Sequence, residues 1–237
     1  MKKIINLFPL IMLFLNLLSI TSCANKNLIQ AVNQPFITSP KIKVELSEIN
    51  NGDLIFVGTT NKDLSGAINR VTQNSSTKNF DHVGVIEKIQ DSIFVLHAVP
   101  KGGSQREEIH QFYKNQKIES NSLIIYRLHP EYQHAIASAI EQAKSLIGKP
   151  YNWSYILNEN EFYCSDFIER AFRKHAIFKL IPMNFKNPNT NEIDTFWVDF
   201  YKKQNLEVPQ NQPGTNPNQL AESDKLIEIG PLYIEAK

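Results

Sequence analysis

Cysteine is scarce in this chain of 237 residues, which contains only Cys23 and Cys164. Any chemistry that consumes Cys23 therefore leaves Cys164 as a lone thiol, and no disulfide can form. An excess of charge of one sign is also absent, because 25 Lys and Arg residues offset 24 Asp and Glu residues. The basic residues are scattered, so we expect no nucleic-acid partner. The histidines lack metal-ligand spacing, and we expect neither a metal nor another cofactor.

The long hydrophobic run is at the start of the chain. Lys2 and Lys3 precede an almost wholly apolar stretch at 4–20, and small residues follow it directly before Cys23. This is the pattern of a secretory signal peptide, and the run is short for a spanning helix, which needs about 20 apolar residues. The cysteine after small residues resembles the lipobox of bacterial lipoproteins, although an ordinary secretory signal with an incidental cysteine is the alternative.

The lipobox resemblance implies cleavage before Cys23 and a diacylglycerol on its sulfur, which would hold the protein at a membrane without a spanning helix. We therefore predict a location in the cell envelope, outside the cytoplasm. The predicted organisation has a signal peptide at 1–22, a lipidated N-terminus and polar tether at 23–45, one folded domain at 46–205, and an irregular, proline-rich C-terminal extension at 206–237.

The hydrophobic pattern of the folded domain predicts strands followed by helices. The expected strands lie at 54–57, 83–89, 93–99 and 122–128, and the expected helices at 132–146 and 164–175. Gly148 sits where a helix C-terminal cap belongs. This order predicts an α+β domain with a small antiparallel sheet and helices packed on one side.

Cys164 begins the second predicted helix, within Tyr163-Cys164-Ser165-Asp166. Unpaired N–H groups and the helix dipole at this position lower a thiol pKa, and they can also hold the oxyanion formed when a carbonyl is attacked. A buried structural cysteine is the alternative, but that residue would lie more naturally on the apolar stripe of the helix. The position therefore favours a reactive thiol.

Two histidines lie on strands that are expected to pair as a hairpin. His82 opens one strand, and His97 lies near the end of the next, on the same side as Ile93 and Val95. If the strands pair, the two rings come close, although the register depends on the turn. A thiol, a base and an orienting group are the parts of an activated nucleophile.

Five fragments in this order resemble the YiiX/YebB-like group, which belongs to the circularly permuted branch of the NlpC-type papain-like superfamily. They are Gly52-Asp53-Leu54-Ile55, Asp81-His82-Val83-Gly84-Val85, Leu96-His97-Ala98, Gly148-Lys149-Pro150-Tyr151 and Tyr163-Cys164-Ser165-Asp166-Phe167. In the permuted branch the histidine precedes the cysteine, as it does here. The resemblance spans about residues 50–175, and Pro209 to Pro217 also looks similar to bacterial members.

The resemblance implies a circularly permuted papain-like fold and a thiolate–imidazolium pair made by Cys164 and His82, in which Cys164 is the nucleophile and His82 the base. The third, orienting residue falls at His97, where many relatives carry a glutamate. A neutral histidine cannot supply the charge of a carboxylate, so either His97 orients His82 more weakly or another acid such as Glu87 serves. Tyr151 falls where relatives carry an aromatic residue near the substrate, and Asp53 is a further substrate-binding candidate, although each also fits a purely structural role.

The predicted activity is that of a cysteine amidase or peptidase that cleaves amide bonds in cell-envelope peptides of the peptidoglycan stem type. A lipid acyl hydrolase or acyltransferase is the first alternative, because permuted relatives use similar residues on lipids. An apolar acyl tunnel would favour lipid, and charged groups poised for an amine or carboxylate would favour peptide. A binding module with an inactive site is the third possibility.

Overall fold

The computed structural model describes residues 43–58, 63–72, 79–116 and 122–234. The predicted signal peptide at 1–22, the lipidation site Cys23 and nearly all of the tether lie outside the described residues. Within the described part of the chain, no helix is long and apolar enough to cross a membrane.

The core of the domain is an antiparallel sheet of six strands in the order β4-β3-β2-β1-β5-β8, beside a separate two-stranded sheet of β6 and β7. The strands are β1 (Leu54–Gly58), β2 (Phe80–Ile89), β3 (Ser92–Val99), β4 (Gly103–Glu108), β5 (Leu123–Leu128), β6 (Ile181–Met183), β7 (Gln212–Gly214) and β8 (Leu226–Pro231). Two of the five strand pairings in this sheet, β2 with β3 and β3 with β4, are local hairpins, whereas the other three join strands that are farther apart in the sequence.

Apolar side chains of β1 alternate between two cores, because successive strand residues point to opposite faces. Leu54 and Phe56 belong to the larger core, whereas Ile55 and Val57 belong to the smaller one. All four are buried. The sheet is therefore covered on both faces.

Five of the six α-helices in the described residues contribute to the larger core, and we call that side of the sheet the helical face. The helices are α1 (Asp63–Thr72), α2 (Ile109–Asn115), α3 (Ile136–Ser145), α4 (Cys164–Phe172), α5 (Thr195–Lys202) and α6 (Pro217–Ala221). Helix α2 contributes Ile109 and Phe112 to the smaller core, and we call that side the α2 face. The predicted α+β architecture is confirmed, with the difference that α2 covers the second face.

The turn before β1 requires a glycine. Gly52 has a φ of +84°, and a Cβ there would lie 2.4 Å from a side-chain carbon of Ile136. Both the left-handed backbone and the close approach exclude larger residues. This explains why a glycine stands at position 52 in the Gly52-Asp53 motif.

The C-terminal extension predicted as irregular at 206–237 instead contains β7, α6 and β8. Strand β8 pairs with β5 and forms one edge of the main sheet. Its short apolar run, Leu226-Ile227-Glu228-Ile229, is interrupted by one charge and followed by Gly230 and Pro231, which concealed it in the sequence. Residues 206–231 are thus part of the domain, because their strand completes the sheet.

Candidate active site

Cys164 is the first residue of α4 and follows Tyr163, whose extended backbone (φ −94°, ψ 168°) begins the helix. The residue is buried, with 5% of its surface exposed. Its Sγ lies 3.9 Å from the main-chain oxygen of Asp81 on β2. The predicted nucleophile therefore lies at the head of a helix and against the strand that carries His82.

Burial raises the pKa of the Cys164 thiol to about 12. Hydrogen bonds from the N–H groups of Val83, Ser165 and Cys164 itself favour the thiolate, whereas the charge of Asp81 opposes it. We predicted a lowered pKa from the helix position alone, and that prediction was wrong for the resting site. The helix N–H groups do meet the sulfur, but removal from water outweighs them.

The two predicted histidines meet on the α2 face. Nε2 of His82 lies 2.8 Å from Nδ1 of His97, and the rings are 5.1 Å apart between centroids. Phe112 of α2 packs beside both rings. Burial lowers the pKa of His82 well below its usual value, and the neighbouring His97 lowers it further. The imidazole of His82 is therefore neutral at pH 7.

The sulfur of Cys164 meets the main chain on both sides of His82, at the oxygen of Asp81 and the N–H of Val83. The ladder between β2 and β3 ends at the pair Val85 and Leu96. The start of β2 is consequently free on that side, and α4 packs against it. Through this gap the first residue of α4 contacts the main chain of β2 at the residues that flank His82.

A carboxylate does reach the histidine pair, but it is not the one we considered. Glu87 is instead paired with Arg106, 2.5 Å from its Nε, and with Lys144 at 3.6 Å. Oε2 of Glu107 lies 3.3 Å from Nε2 of His97. The histidine chain thus ends on a glutamate from β4.

A cavity with about 380 Å³ of empty space, in part open to solvent, adjoins Cys164. Tyr151 lines this cavity, and its hydroxyl lies 3.4 Å from that of Tyr155. The other lining residues are mostly apolar or aromatic: Ile68, Val71, Thr72, Asp81, Tyr163, Ser165, Met183, Phe185, Trp197, Thr215, Asn216 and Pro217. The structure therefore brings Tyr151 and Cys164 into one site.

Asp81 is the acidic residue in the cavity wall. Its carboxylate accepts a hydrogen bond from the Ser65 hydroxyl. Burial raises the pKa of Asp81 to about 6, although that hydrogen bond acts in the opposite direction. Above this pH the site carries a negative charge close to the thiol.

Asp53 does not line the cavity. Its carboxylate makes two contacts of 2.7 Å with the guanidinium of Arg127, and its side chain is 1% exposed. It precedes Leu54, whereas the strand partner of His82 is Val57, at the other end of β1. Of the two roles considered for Asp53, substrate binding and structure, the buried ion pair with Arg127 supports the structural one.

Sequence reasoning missed several residues at this site. Asp81 was hidden inside the histidine motif, and Glu107 lies on β4, a strand without apolar alternation. Thr215 and Asn216 come from the C-terminal segment, where only the resemblance of Pro209 to Pro217 pointed to a role. Ser165 Oγ donates to the carbonyl of Thr215 at 3.1 Å, which ties this segment to the head of α4.

Within the described ranges, no group of three or more His, Cys, Asp or Glu side chains is arranged to hold a metal ion. Comparison with curated proteins found no match. Among solved structures, the metalloprotein YiiX from Escherichia coli O157:H7 superposes with a TM-score of 0.59 at 18% identity, covering 76% of this chain and 96% of that chain. At this identity the likeness shows the fold alone.

A family model decides the assignment. The model described as "Permuted papain-like amidase enzyme, YaeF/YiiX, C92 family" matches residues 48–230. This range includes the strands except for the last residue of β8, the first residues of α4 and most of the C-terminal residues from 206 onward. The match agrees with the residue order, in which the histidine strand precedes the cysteine helix. The chain therefore belongs to the YaeF/YiiX family of permuted papain-like amidases, and it is a cysteine hydrolase.

Proposed function

We propose that Cys164 is the nucleophile of an amidase in which His82 is the general base and His97 orients His82. The observation that carries this proposal is the contact of the Cys164 sulfur with the main chain on both sides of His82, together with the bond from His82 to His97. Because Nε2 of His82 is bonded to His97, Nδ1 is the ring nitrogen left to accept the thiol proton.

The first half of the reaction forms a thioester. The neutral thiol of Cys164 transfers its proton to Nδ1 of His82 while Sγ attacks the amide carbon. The carbonyl oxygen becomes an oxyanion, and N–H groups at the start of α4 stabilise it. The C–N bond then breaks, and His82 gives its proton to the leaving amine.

Water completes the second half. His82 removes a proton from water, and the resulting hydroxide adds to the thioester carbon. Sγ leaves as the thiolate and takes back the proton from His82. The products are a carboxylic acid and a free amine, and Cys164 is regenerated.

Cell-envelope peptides of the peptidoglycan stem type are the substrates we propose. The carboxylate of Asp81 in the cavity wall fits an ammonium group of such a peptide, since buried charges need a partner. The amidase family also favours an amide over an ester.

A lipid acyl substrate is the second candidate, and a different observation favours it. The walls around Cys164 are formed mainly by aromatic and aliphatic side chains, among them Tyr155, Phe185 and Trp197. An apolar group attached to the reacting carbonyl would gain from burial there.

One experiment separates these candidates. The full-length protein in detergent is incubated with peptidoglycan stem peptides and, separately, with phospholipids and N-acyl amides, next to the Cys164→Ala variant. We expect release of a free amine from the peptides and no turnover by the variant. Fatty-acid release alone would favour the lipid candidate, and equal turnover by the variant would rule out Cys164. No turnover with any of these substrates would favour an inactive binding module.

We further propose that Cys23 is lipidated and holds the enzyme in the cell envelope, outside the cytoplasm. The support is the charged start, the apolar run and the small residues before Cys23. Metabolic labelling with a clickable fatty acid, compared between the wild type and Cys23→Ser, tests this. Labelling that persists in the variant would contradict it.

A further inference from the structure

We propose that Glu107 is a positioning residue that selects, through His97, the protonation pattern of His82 needed for catalysis. The proposal rests on the roles proposed above for Cys164 and His82. Glu107 touches neither the thiol nor the cavity, and it acts only along the chain of hydrogen bonds that runs from β4 to β2.

The sheet register brings Glu107 to His97. His97 pairs with Gln105 on β4, and Glu107 follows two residues later on the same face. Diagonal neighbours of this kind are within reach of long side chains. The His97 side chain is fully buried and that of Glu107 is 10% exposed, so their 3.3 Å contact lies largely out of water.

The direction of each hydrogen bond follows from the carboxylate. An ionised carboxylate only accepts, so Nε2 of His97 must carry the proton that it donates to Glu107. Nδ1 of His97 is then an acceptor, and Nε2 of His82 must donate to it across 2.8 Å. This leaves Nδ1 of His82 without a proton and free to take one from Cys164.

A second side chain, a hydrogen-bond donor, reaches the same nitrogen of His97 as Glu107 does, and it would favour the opposite protonation pattern. The amide Nε2 of Gln105 lies 3.3 Å from the same His97 nitrogen. If that amide donated to His97, Nδ1 of His97 would carry the proton, and Nε2 of His82 would have to accept it. Nδ1 of His82 would then be protonated and unable to act as a base, so the carboxylate of Glu107 excludes the unproductive pattern.

The Glu107→Gln variant should reverse the direction of the hydrogen bond between His97 and His82. The other oxygen of Glu107, Oε1, accepts a hydrogen bond from the side-chain amide of Asn115. In Glu107→Gln, the amide oxygen is expected to keep that bond, which turns the new NH₂ group toward His97. Two amide donors would then face Nε2 of His97.

The test uses the protein without any substrate first. Nitrogen NMR of ¹⁵N-histidine-labelled full-length protein distinguishes protonated from unprotonated ring nitrogens. In the wild type we expect Nε2 of His82 to carry the proton and Nδ1 to lack it. We expect the reverse in Glu107→Gln and the wild-type pattern in Glu107→Asp.

Amidase kinetics provide the second readout. Glu107→Gln should lower kcat/KM by roughly 10- to 100-fold, the range known for hydrogen-bond partners that orient metal-bound histidines. The dependence of kcat/KM on pH should also change shape in Glu107→Gln. Glu107→Asp should recover much of the wild-type kcat/KM. Glu108→Gln is the matched control, because Glu108 caps α2 and contacts neither histidine.

Several results would overturn the proposal. A proton on Nδ1 of His82 in the wild type would do so even if no variant folds. An unchanged nitrogen pattern in Glu107→Gln, or an equal loss of rate in Glu108→Gln, would show a merely structural role. A wild type with the expected nitrogen pattern but no amidase turnover would instead count against the proposed function alone.

Discussion

Sγ of Cys164 lies 3.9 Å from the main-chain oxygen of Asp81, which can only accept a hydrogen bond. A hydrogen bond across this contact has the sulfur as its donor and therefore needs the protonated thiol. This agrees with the raised pKa that burial gives the thiol. The structure thus describes a neutral thiol and a neutral imidazole, and in the mechanism that we propose the proton moves during the attack.

The first prediction concerns thiol reactivity. We expect iodoacetamide to alkylate Cys164 slowly at pH 7. The alkylation rate should still rise above pH 8.5, which is about the pKa of a free cysteine thiol. Rates measured by mass spectrometry from pH 6 to 10 test this, with Cys164→Ser as the blank. An inflection at or below pH 7 would show a preformed thiolate and contradict the resting state described above.

The second prediction concerns Asp81→Asn. The charge of Asp81 raises the pKa of Cys164, so the neutral variant should shift the alkylation profile to lower pH. The pKa of Asp81 is raised to about 6 in the folded protein, so the folded state holds this proton more tightly than the unfolded state does. The contribution of Asp81 to stability is therefore lost as the pH rises from about 4 through 6. The melting temperature of Asp81→Asn relative to wild type should therefore increase over that interval.

Asp91→Asn is the control for this variant, because Asp91 is exposed in the turn between β2 and β3. It should leave the alkylation profile of Cys164 unchanged. A melting difference between Asp81→Asn and wild type that is constant from pH 4 to pH 7 would refute the raised pKa.

The third prediction concerns the base. His82→Ala should lower kcat/KM by about 10²- to 10⁴-fold, the usual contribution of a general acid–base group. His110→Ala is the matched control, since His110 is exposed on α2 and bonded to Glu108. Steady-state kinetics with an amide substrate measure both. A His82 variant that retains full activity would remove His82 from the mechanism.

The residue patterns predicted much of this site and left part of it hidden. His82 and His97 could be placed together from strand alternation, and the family resemblance linked them to Cys164. Glu107 could not be found, because its strand carries Gln105 and Glu107 on a buried face where the pattern shows only polar residues. Their polarity is satisfied by His97, a long-range contact that no local spacing reveals.

The thiol pKa was mispredicted for a similar reason. The helix start is a local feature and was identified correctly, with Cys164 as the first residue of α4. The burial that outweighs it comes from residues distant in sequence, including Trp197 and Thr215 in the cavity wall. Desolvation depends on the whole fold, so the position of Cys164 at the helix start alone predicted the wrong direction for its pKa shift.

The fourth prediction assigns Asp53 to stability. Arg127→Met leaves the buried carboxylate of Asp53 without its cationic partner, with only the main-chain N–H of Asn50 still donating to it, and burial already raises the pKa of that group. We expect a loss of about 3 kcal/mol in the free energy of unfolding, the lower end for a broken buried pair. Lys43→Met breaks an exposed pair with Glu45 and should cost under about 1 kcal/mol.

Urea denaturation measures both variants. The kcat/KM of folded Arg127→Met should stay near wild type, because neither Asp53 nor Arg127 lines the cavity. A variant that unfolds normally but loses turnover would restore Asp53 as a substrate-binding residue.

The fifth prediction concerns the C-terminal segment. Removing residues 206–237 deletes β8 and exposes the edge of β5, and an unpaired strand edge promotes aggregation. It also removes buried Leu220 and Leu226 from the larger core, and Leu232 and Ile234 from the smaller one.

The truncation also removes Thr215, whose carbonyl accepts the hydrogen bond from Ser165 at the start of α4. We expect this truncation to yield insoluble or unfolded protein, while the full chain is soluble and melts cooperatively. Expression and circular dichroism compare the two, and a soluble, cooperatively melting chain that ends at residue 205 would show that the extension is an appendage.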